Sequence, residues 1–509
     1  EIDKSLLRNW HNHRGRHLKT VVLRRLGCSD EALALIADSL GIDRFNFGCR
    51  FEEYLISGDE AVLEMLNVQM RAESRNYEEL ILDYADAGCW EEALKLARTA
   101  IDHAADCSPM VHYYRVWALV KLGRSAEALQ AAALAERQPA DCCFPNRLDD
   151  IEALRTAIAL PAETPKAYYY LGNLWYDKRQ YAEAVAAWEA SAALDGTFPT
   201  VLRNLSLAYF NKLNRRDEAV TLLEKAFELD TADARILMEL DQLYKRLNRP
   251  HAERLALLER YRETTFRRDD LYLEYVTLLN QLGRHEEAME LIEGRKFHPW
   301  EGGEGKVPAQ YQLARVELVK GCLARKEYDR ALKLIEECYV YPHNLGEGKL
   351  PGAQENDFNY YKARILQETG HADEARALYE AASVGNSQPA AAIYYNDQKP
   401  DKIFYQGLAL LRLGRETEAR SRFNNLISYG EKHLYDVFKM DYFAVSLPDL
   451  QIWEDDMDRK NVIHCNYLMG LGYLGLGDKT KAEKYFAAAA ELDNNHQGVQ
   501  VHRMMLNEK

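Results

Sequence analysis

The sequence predicts an all-α fold, an α-solenoid in which antiparallel helix pairs follow one another along the chain. Three observations predict it. A glycine followed five residues later by an alanine recurs, the alanines return at a nearly constant interval, and no strand-like alternation persists anywhere. The recurring pairs are Gly27/Ala32, Gly88/Ala93, Gly123/Ala128, Gly283/Ala288, Gly370/Ala375, Gly414/Ala419 and Gly477/Ala482.

The interval between successive alanines gives the length of one repeat. From Ala184 to Ala288 the steps are 35, 33 and 36 residues, with Ala219 and Ala252 standing in the same place without a glycine. After Ala288 the steps lengthen to 43 residues at Ala331 and then to 44. Because a period near 34 residues is that of a helix–turn–helix unit, the longer steps indicate inserted residues.

Residues 166–194 illustrate the chemistry of one unit. Leu171 and Trp175 lie four residues apart on one helix face, and a polar turn separates this helix from the next. Gly172 and Ala184 are small where the two helices of a pair approach closely, since larger side chains would force the pair apart. Glycine in such a turn favours the left-handed conformation that ends a helix.

The spacing divides the chain into three sections. Residues 1–73 are predicted to be degenerate helical repeats, residues 74–295 a regular array, and residues 296–509 an array with long inserted loops. The interval is also interrupted at residues 51–73 and 142–163, although both stretches keep the apolar periodicity of an amphipathic helix.

This repeat resembles the tetratricopeptide family over residues 18–495. The resemblance implies that the first helix of each pair lines a concave groove. A family clamp for a partner's terminal carboxylate uses Lys and Asn; here Tyr169 replaces the first clamp Lys and Asn173 matches the Asn, which argues against a receptor for chaperone tails. The residues that the resemblance places in the groove are Tyr113, Trp117, Lys166, Tyr169, Asn173, Tyr176, Arg203, Tyr360 and Arg364.

Composition excludes several classes of protein. The formal net charge of −15 argues against nucleic acid and against anionic membrane surfaces, which both require a cationic footprint. The sequence has no continuous apolar run of about 18 residues, so no transmembrane helix is predicted. No secretory signal is visible. The nine cysteines are odd in number and lack a Cys-x-x-Cys spacing, which favours reduced thiols and a cytoplasmic protein. The first residue is Glu1 rather than Met, so we expect a fragment or processed form that lacks either its native N-terminus or a whole upstream domain.

Three motifs suggest chemistry that their context does not support. Residues 470–475 match the dinucleotide fingerprint, but they lie inside a predicted helix without a preceding strand. Residues 303–306 and 346–349 resemble phosphate loops, but Lys306 and Lys349 are followed by Val and Leu rather than a hydroxyl residue. The sequence therefore predicts no cofactor.

A histidine cluster near the N-terminus suggests a metal site. His11, His13 and His17 stand among arginines without a Cys or carboxylate at ligand spacing, so a solvated basic turn is the better interpretation. No Ser-His-Asp or Cys-His arrangement can be assigned. The sequence therefore predicts neither a metal site nor a catalytic set.

Two of the insertions are copies of each other. Residues 297–308 and 339–351 share a Gly-Glu-Gly-Lys phrase, and their central glutamates are 43 residues apart, the same as the local repeat. Further insertions are predicted at residues 385–400 and 429–460. Insertions at one phase lie on one face, often the binding face, although they could also pack against neighbouring units as structural plugs. The candidate binding residues in these loops are Trp300, Glu304, Lys306, Tyr341, Asn344, Glu347, Lys349, Tyr395 and Asp397.

The loop texts carry a second resemblance. The phrases RKFHPWEGGEGKV, NLGEGKL, YYNDQKPD and DYFAVSLPDL are similar to the C-terminal repeat array of a bacterial family of large cytoplasmic proteins. In that family a β-rich domain of unknown function, similar to sugar-mutarotase-like sandwiches, precedes the repeats. The resemblance implies that this chain is the scaffold half of a two-part protein, and it supplies no catalytic residues.

Two functions follow from these observations. The first is a non-enzymatic scaffold that binds a protein or peptide partner, or its own upstream domain, through the groove and the inserted loops. The alternative is the accessory half of a carbohydrate-binding or carbohydrate-active protein whose loops contribute to a sugar site. Neither nucleic acid nor a membrane is expected as a partner.

Overall fold

The computed structural model describes residues 1–104, 106–300, 302–391, 399–437 and 452–507. These residues form α-helices and two short 3₁₀ turns, without a β-strand among them. The chain divides into two compact units, which we call unit 1 (Glu1–Ala208) and unit 2 (Tyr209–Lys509). The boundary falls inside one helix, and the three sections expected from the repeat spacing stay a prediction.

Unit 1 is built of short helices, most of them between 11 and 14 residues long. They are α1 (Ile2–Arg8), α2 (His13–Arg25), α3 (Ser29–Ile42), α4 (Phe47–Ser57), α5 (Glu60–Met70), α6 (Ser74–Asp86), α7 (Trp90–His103), α8 (Pro109–Lys121), α9 (Ser125–Ala135), α10 (Leu148–Ile158), α11 (Pro165–Asp177), α12 (Tyr181–Leu194) and α13 (Pro199–Asn211), which contains the boundary.

Unit 2 includes longer helices, of which α20, α25 and α26 have 18 to 20 residues. Its helices are α14 (Arg216–Leu229), α15 (Ala234–Arg246), α16 (His251–Arg260), α17 (Arg262–Thr265), α18 (Asp269–Gln281), α19 (His285–Glu293), α20 (Lys306–Arg325), α21 (Tyr328–Glu337), α22 (Asn356–Glu368), α23 (Ala372–Ser383), α24 (Pro400–Arg412), α25 (Glu416–His433), α26 (Met457–Gly475), α27 (Lys479–Leu492) and α28 (Gln497–Met504), and the 3₁₀ turns are His343–Leu345 and Met505–Asn507.

Consecutive helices pack in pairs, and each pair packs on the next, in both units. The predicted all-α solenoid of helix pairs is therefore confirmed. The two stretches in which the alanine interval is interrupted also form helices, namely α4 with α5, and α10. Alanine and leucine are the most frequent buried hydrophobic residues, followed by tyrosine. Large side chains of one helix fill the space that small residues leave on its neighbour.

Gly172 shows how a helix pair closes. A Cβ atom added to this residue would lie 2.4 Å from the indole of Trp188, so the ring on α12 lies directly on the backbone of α11. Ala184, on the same second helix, is fully buried. Both residues are small for the reason that the sequence predicted, since a larger side chain would displace the partner helix.

The prediction that Ala252 occupies the recurring alanine position of its repeat is wrong. Helix α16 begins at His251, so Ala252 lies in its exposed first turn, and the fourth residue of the helix is Arg254. Ala184 and Ala219 are the fourth residues of their helices, α12 and α14. The small-residue position of this pair is therefore taken by a buried arginine.

Arg254 is stabilised by a buried carboxylate on the preceding helix. Its Nη2 lies 2.7 Å from Oδ2 of Asp241, and both side chains are almost inaccessible to solvent. Glu274 of α18 accepts a second bond from the same nitrogen at 2.7 Å. A buried ion pair thus replaces the contact of small residues in this one repeat, and it connects three helices of unit 2.

The turns inside the pairs follow the predicted capping chemistry. Gly283 has φ +75°, and the N–H of Arg284, which follows it, bonds back to Leu279 O at 2.8 Å. Where the sequence lacks the glycine, Arg179, Asn214 and Asn248 adopt the same left-handed conformation. The turn geometry is therefore kept at some cost in backbone strain.

Two N-terminal and C-terminal motifs are explained by packing. His17, expected in a solvated turn, lies instead in α2 and is buried, because Gly48 leaves room for its ring, which meets Tyr84 edge-on at 5.0 Å. The glycines of residues 470–475 lie within α26. A Cβ atom at Gly470 would lie 2.5 Å from Phe486, so these glycines allow neighbouring helices to approach.

Candidate functional site

Two inserted loops of unit 2 form the candidate site. The first loop, residues 294–305, connects α19 to α20, and the second, residues 338–355, connects α21 to α22. Each follows the second helix of one pair and precedes the first helix of the next pair. The two copies therefore leave the helical array at equivalent places, as their spacing in the sequence indicates.

The two loops are bonded directly to each other. The N–H of Phe297 donates to Asn344 O at 2.8 Å. The side-chain amide of Asn344 donates to Ile292 O at 2.8 Å and to Arg295 O at 2.9 Å, which satisfies carbonyls at the end of α19. Asn344 is therefore a structural link between the loops rather than a free recognition group.

Apolar contacts reinforce this link. Phe297 and Leu345, one from each loop, are almost fully buried, and Phe297 meets Tyr272 of α18 edge-on at 5.8 Å. Gly346 has φ +77°, and a Cβ atom there would lie 2.6 Å from Phe297 O. The contact therefore requires glycine at this position of the second loop.

A cavity of about 350 Å³ opens where the loops meet. The half-buried indole of Trp300 covers Gly303, and Val307 and Leu345 supply a buried apolar surface. The residues that line the cavity are His298, Pro299, Trp300, Gly303, Glu304, Val307, Leu345 and Glu347. We call it the two-loop cavity.

Two carboxylates line the two-loop cavity, and they differ in exposure and in hydrogen bonding. Glu347 is half-buried, and its Oε2 accepts a bond from the N–H of Gly305 at 2.7 Å, so it also holds the first loop. Glu304 is exposed and makes no ion pair or side-chain hydrogen bond within the described residues. Of the two, Glu304 has its acceptor oxygens available to a ligand.

The first loop is fixed at its base by Asp269 of α18. The N–H of His298 donates to this carboxylate at 2.9 Å, and Nε of Arg295 donates at 2.7 Å. Burial by itself would raise the pKa of Asp269, but these hydrogen bonds lower it below its ordinary value. The carboxylate is therefore ionised and positions one wall of the cavity.

Other predicted loop residues lie outside the cavity lining. Lys306 is exposed at the first position of α20, and Tyr341 is half-buried within the second loop. Lys349 donates from Nζ to Tyr339 O at 3.0 Å and pairs with Glu355. Its ammonium thus closes the second loop on itself.

The remaining insertions contribute less to this site. Tyr395 and Asp397, predicted in the third insertion, lie outside the described residues. Elsewhere in that insertion, Asn386 O accepts a bond from Gln406 at 3.1 Å, and Ser387 O accepts one from Asn425 at 3.0 Å. The described part of the third insertion therefore packs on α24 and α25.

Groove residues predicted in unit 1 take part in contacts within helix pairs and between them. Tyr113 is fully buried and donates to Glu136 at 2.8 Å. Asn173 accepts at 3.1 Å from the indole N–H of Trp188, and at the same distance from the amide of Asn204. These polar groups therefore hold consecutive helices together, which leaves less of their surface for a partner.

Aromatic packing accounts for most of the other predicted groove residues. The nearly buried ring of Tyr169 lies 5.2 Å from that of Tyr170, and Tyr176 lies 5.3 Å from Trp188. Arg203 is half-buried, and its Nη1 donates to its neighbour Asn204 at 3.1 Å.

Trp117 differs from these residues. It is nearly buried against Trp90, with ring centroids 5.0 Å apart, and its indole N–H has no hydrogen-bond partner within the described residues. In unit 2, Tyr360 is nearly buried among other tyrosines, and Arg364 lies half-buried with its guanidinium 6.0 Å from the Tyr361 ring. Binding roles for these groove residues stay predictions.

Sequence reasoning missed five residues that line the cavity, namely His298, Pro299, Gly303, Val307 and Leu345. A signal was present, because both loop copies contain a His-Pro or Pro-His pair and a glycine-rich turn. What the sequence did not contain is the contact between the copies, since each copy is compatible with an independent loop.

Among the described residues, no group of three or more His, Cys, Asp or Glu side chains is placed to hold a metal ion. Within the same ranges, none of the helices combines the length and the apolar character needed to span a membrane.

The fold and site define a helical repeat protein with a ligand-sized cavity between inserted loops. Comparison of the sequence with family profiles identifies tetratricopeptide repeats at residues 151–199, 201–233 and 463–496. The three stretches occupy both units, and two of them lie in the part of the array with regular spacing.

Several solved repeat proteins are similar to this chain at low identity. MamA from Desulfovibrio magneticus RS-1 is 19% identical, with 38% of this chain and 97% of that chain covered and a TM-score of 0.23. A tetratricopeptide repeat protein from Parabacteroides merdae is 12% identical, with 59% and 97% covered and a TM-score of 0.26. YrrB, described as a repeat protein with an unusual peptide-binding site, is 16% identical, with 45% and 93% covered and a TM-score of 0.17. At these scores the likeness carries no argument about this chain.

Proposed function

We propose that this protein is a non-enzymatic scaffold that binds a protein partner, or a domain of its own polypeptide, through the two-loop cavity and the first-helix surfaces. The observation that carries the proposal is that two duplicated loops converge on one cavity instead of packing separately. Tetratricopeptide repeats are an interaction fold, so a concave site built by their insertions suits recognition of another chain.

Different residues of the loops hold the loops together and face the cavity, which supports a binding role. Phe297, Asn344 and Leu345 already provide the hydrogen bonds and apolar burial that hold the loops together. Trp300 and Glu304 are not needed for that packing, because one is only half-buried and the other is exposed. An aromatic face and an available carboxylate therefore remain for a ligand.

The chemistry of the cavity favours a cationic side chain of the partner. An indole face attracts a guanidinium or ammonium group, and Glu304 and Glu347 supply negative charge on the same cavity. The net charge of −15 adds to this preference and disfavours nucleic acid and anionic membranes. The proposal includes a cytoplasmic location, which the nine free thiols support.

A peptide array probed with the purified chain tests this function, and fluorescence titration then gives dissociation constants for the peptides retained. We expect retained peptides to contain Arg or Lys, and Trp300→Ala and Glu304→Gln to weaken their binding by roughly 3–30-fold. Glu290→Gln, an exposed glutamate on α19 outside the cavity lining, is the matched control. Equal affinity for both cavity variants and the wild type would rule out the cavity as the binding site.

A carbohydrate ligand is the second candidate, because the Trp300 indole lies on the same cavity as two carboxylates. Sugar rings stack on indole faces, and carboxylates accept bonds from hydroxyl groups. Calorimetric titration with neutral oligosaccharides separates the candidates. Binding of a glycan that is lost in both Trp300→Ala and Glu304→Gln, without binding of basic peptides, would favour the sugar site over the scaffold.

A further inference from the structure

A different surface of unit 2 holds a short segment of the chain itself. Trp453, just before α26, is 1% exposed and is buried against helices that precede it by more than 200 residues. Its indole N–H donates to Glu239 O of α15 at 3.1 Å. Its ring meets Phe210, at the end of α13, edge-on with centroids 5.1 Å apart.

The backbone around Trp453 is bound by side chains. Asn211 donates from its amide to Ile452 O at 2.9 Å and accepts from the N–H of Glu454 at 3.0 Å. Arg246 donates to Trp453 O at 3.1 Å. Three consecutive residues are thus held through main-chain groups outside any helix, as an extended peptide ligand would be.

The acidic residues that follow Trp453 pair with basic side chains. Lys212 pairs with Glu454, and Arg246 pairs with Asp455 at 2.9 Å. Lys460 pairs with Oδ2 of Asp455, whereas Arg246 pairs with Oδ1. Beside the segment a cavity of about 400 Å³ is lined by further cations, including Arg216 and Lys245, together with the acidic residues of the segment itself. The surface therefore recognises an aromatic side chain followed by carboxylates.

We propose that this surface is a binding site for an extended peptide of a partner protein that carries tryptophan followed by acidic residues. Residues 452–456 are its resident occupant, and the partner peptide replaces them. The resident segment defines the ligand chemistry directly, through its indole pocket, its main-chain bonds and its ion pairs. The inference goes beyond the proposed function, because it concerns residues that do not line the two-loop cavity.

The tethered segment competes at a high effective concentration, in the millimolar range for a short tether. An added peptide can bind only those wild-type molecules whose site is free. Its apparent dissociation constant is therefore the intrinsic one divided by the fraction of molecules with a free site. Removing the resident indole should expose the site without altering the residues that form it.

The experiment uses the full chain and a fluorescein-labelled peptide with the sequence of residues 451–457, Gln-Ile-Trp-Glu-Asp-Asp-Met. Fluorescence anisotropy measures its dissociation constant with the wild type, Trp453→Ala, and Trp453→Ala combined with Arg246→Glu. We expect Trp453→Ala to bind at least about tenfold more tightly than the wild type, and the added Arg246→Glu to reverse the gain. Peptides with Trp replaced by Ala, or with the acidic residues replaced by Lys, should not bind.

The controls separate this site from the two-loop cavity and from unfolding. Trp300→Ala should bind the peptide as the wild type does, so loss of the cavity function and loss of this site are distinguishable. Circular dichroism checks the fold of Trp453→Ala. If that variant unfolds, Glu454→Lys with Asp455→Lys loosens the segment through its charges alone and should bind the peptide at least about threefold more tightly than wild type.

The proposal is overturned if folded Trp453→Ala, or Glu454→Lys with Asp455→Lys in its place, binds the peptide no more tightly than the wild type. It is equally overturned if adding Arg246→Glu to that variant leaves its affinity for the peptide unchanged, since the acidic residues would then not be recognised. In either case residues 452–456 would be a structural part of unit 2 only.

Discussion

Single residues decide where this chain departs from its own repeat pattern. Arg254 occupies a position at which two neighbouring pairs have alanine, and Asp241 supplies the compensating charge. Burial raises the pKa of Asp241, whereas the neighbouring Lys245 and Arg254 lower the pKa of Glu274 to about 2 against the effect of its burial. A buried charge of this kind depends on every partner being present.

Buried histidines make the stability of the chain depend on pH. Burial lowers the pKa of His17, His112 and His502 to about 4, from about 6.5 for an unhindered histidine. The unfolded chain therefore takes up protons below pH 6.5 that the folded chain binds only near pH 4, so stability is complete above 6.5 and is lost as the pH falls toward 4.

We expect the thermal unfolding midpoint to fall between pH 7.5 and pH 5, with each of these histidines contributing roughly 1–2 kcal/mol. In His112→Gln the decrease should be smaller, because one titrating group is removed. The exposed His343→Gln serves as the control and should keep the full decrease. A midpoint that does not change over this pH range would contradict the argument.

At the scale of helices, the close pairs tolerate little added volume. In Gly172→Ala the new methyl group would meet the Trp188 ring at 2.4 Å, so α11 and α12 must separate or the ring must move. We expect a loss of about 1–3 kcal/mol in the free energy of unfolding, measured by urea titration. Gly348→Ala, at an exposed loop position with no atom within 4 Å, should change it little. Equal stability of the two variants would mean that the helix pair is not closely packed.

Loops follow a different logic from the helices they connect. Each insertion could be recognised from its length, and the candidate residues Trp300, Glu304 and Glu347 do lie together on one cavity. Asn344 was predicted as a binding residue, and its amide satisfies one backbone carbonyl of α19 and one of the first loop. Its role depends on a contact between segments about 50 residues apart, which composition does not encode.

At the scale of the whole molecule, the end of unit 2 is connected to its beginning. Asn495 accepts a bond from Arg254 at 2.6 Å and donates to Lys245 O at 3.1 Å. Gln497 and Gln310 exchange amide bonds at 2.7 and 3.0 Å. These contacts join residues 187 to 250 positions apart, so unit 2 is held together by more than its nearest-neighbour repeats.

This connection predicts long-range cooperativity. Asn495→Ala leaves the Arg254 guanidinium without one of its acceptors, which should destabilise unit 2 by about 2–3 kcal/mol. Hydrogen exchange should become faster both near residue 495 and in α15 and α16. Glu491→Gln, an exposed neighbour, is the control. Faster exchange confined to the C-terminal helices would show that the two ends do not stabilise each other.

The sequence by itself determined the helix-pair fold, the turn positions and the places where loops are inserted. Those features depend on interactions between residues within about 35 positions of each other. The apolar periodicity and small residues such as Gly172 and Ala184 therefore predict them directly. Only the tertiary structure decided that Trp453 lies against Phe210 and Glu239, and that the two loops share one cavity. Such contacts depend on small rotations accumulated over many helix pairs, and no local pattern specifies their sum.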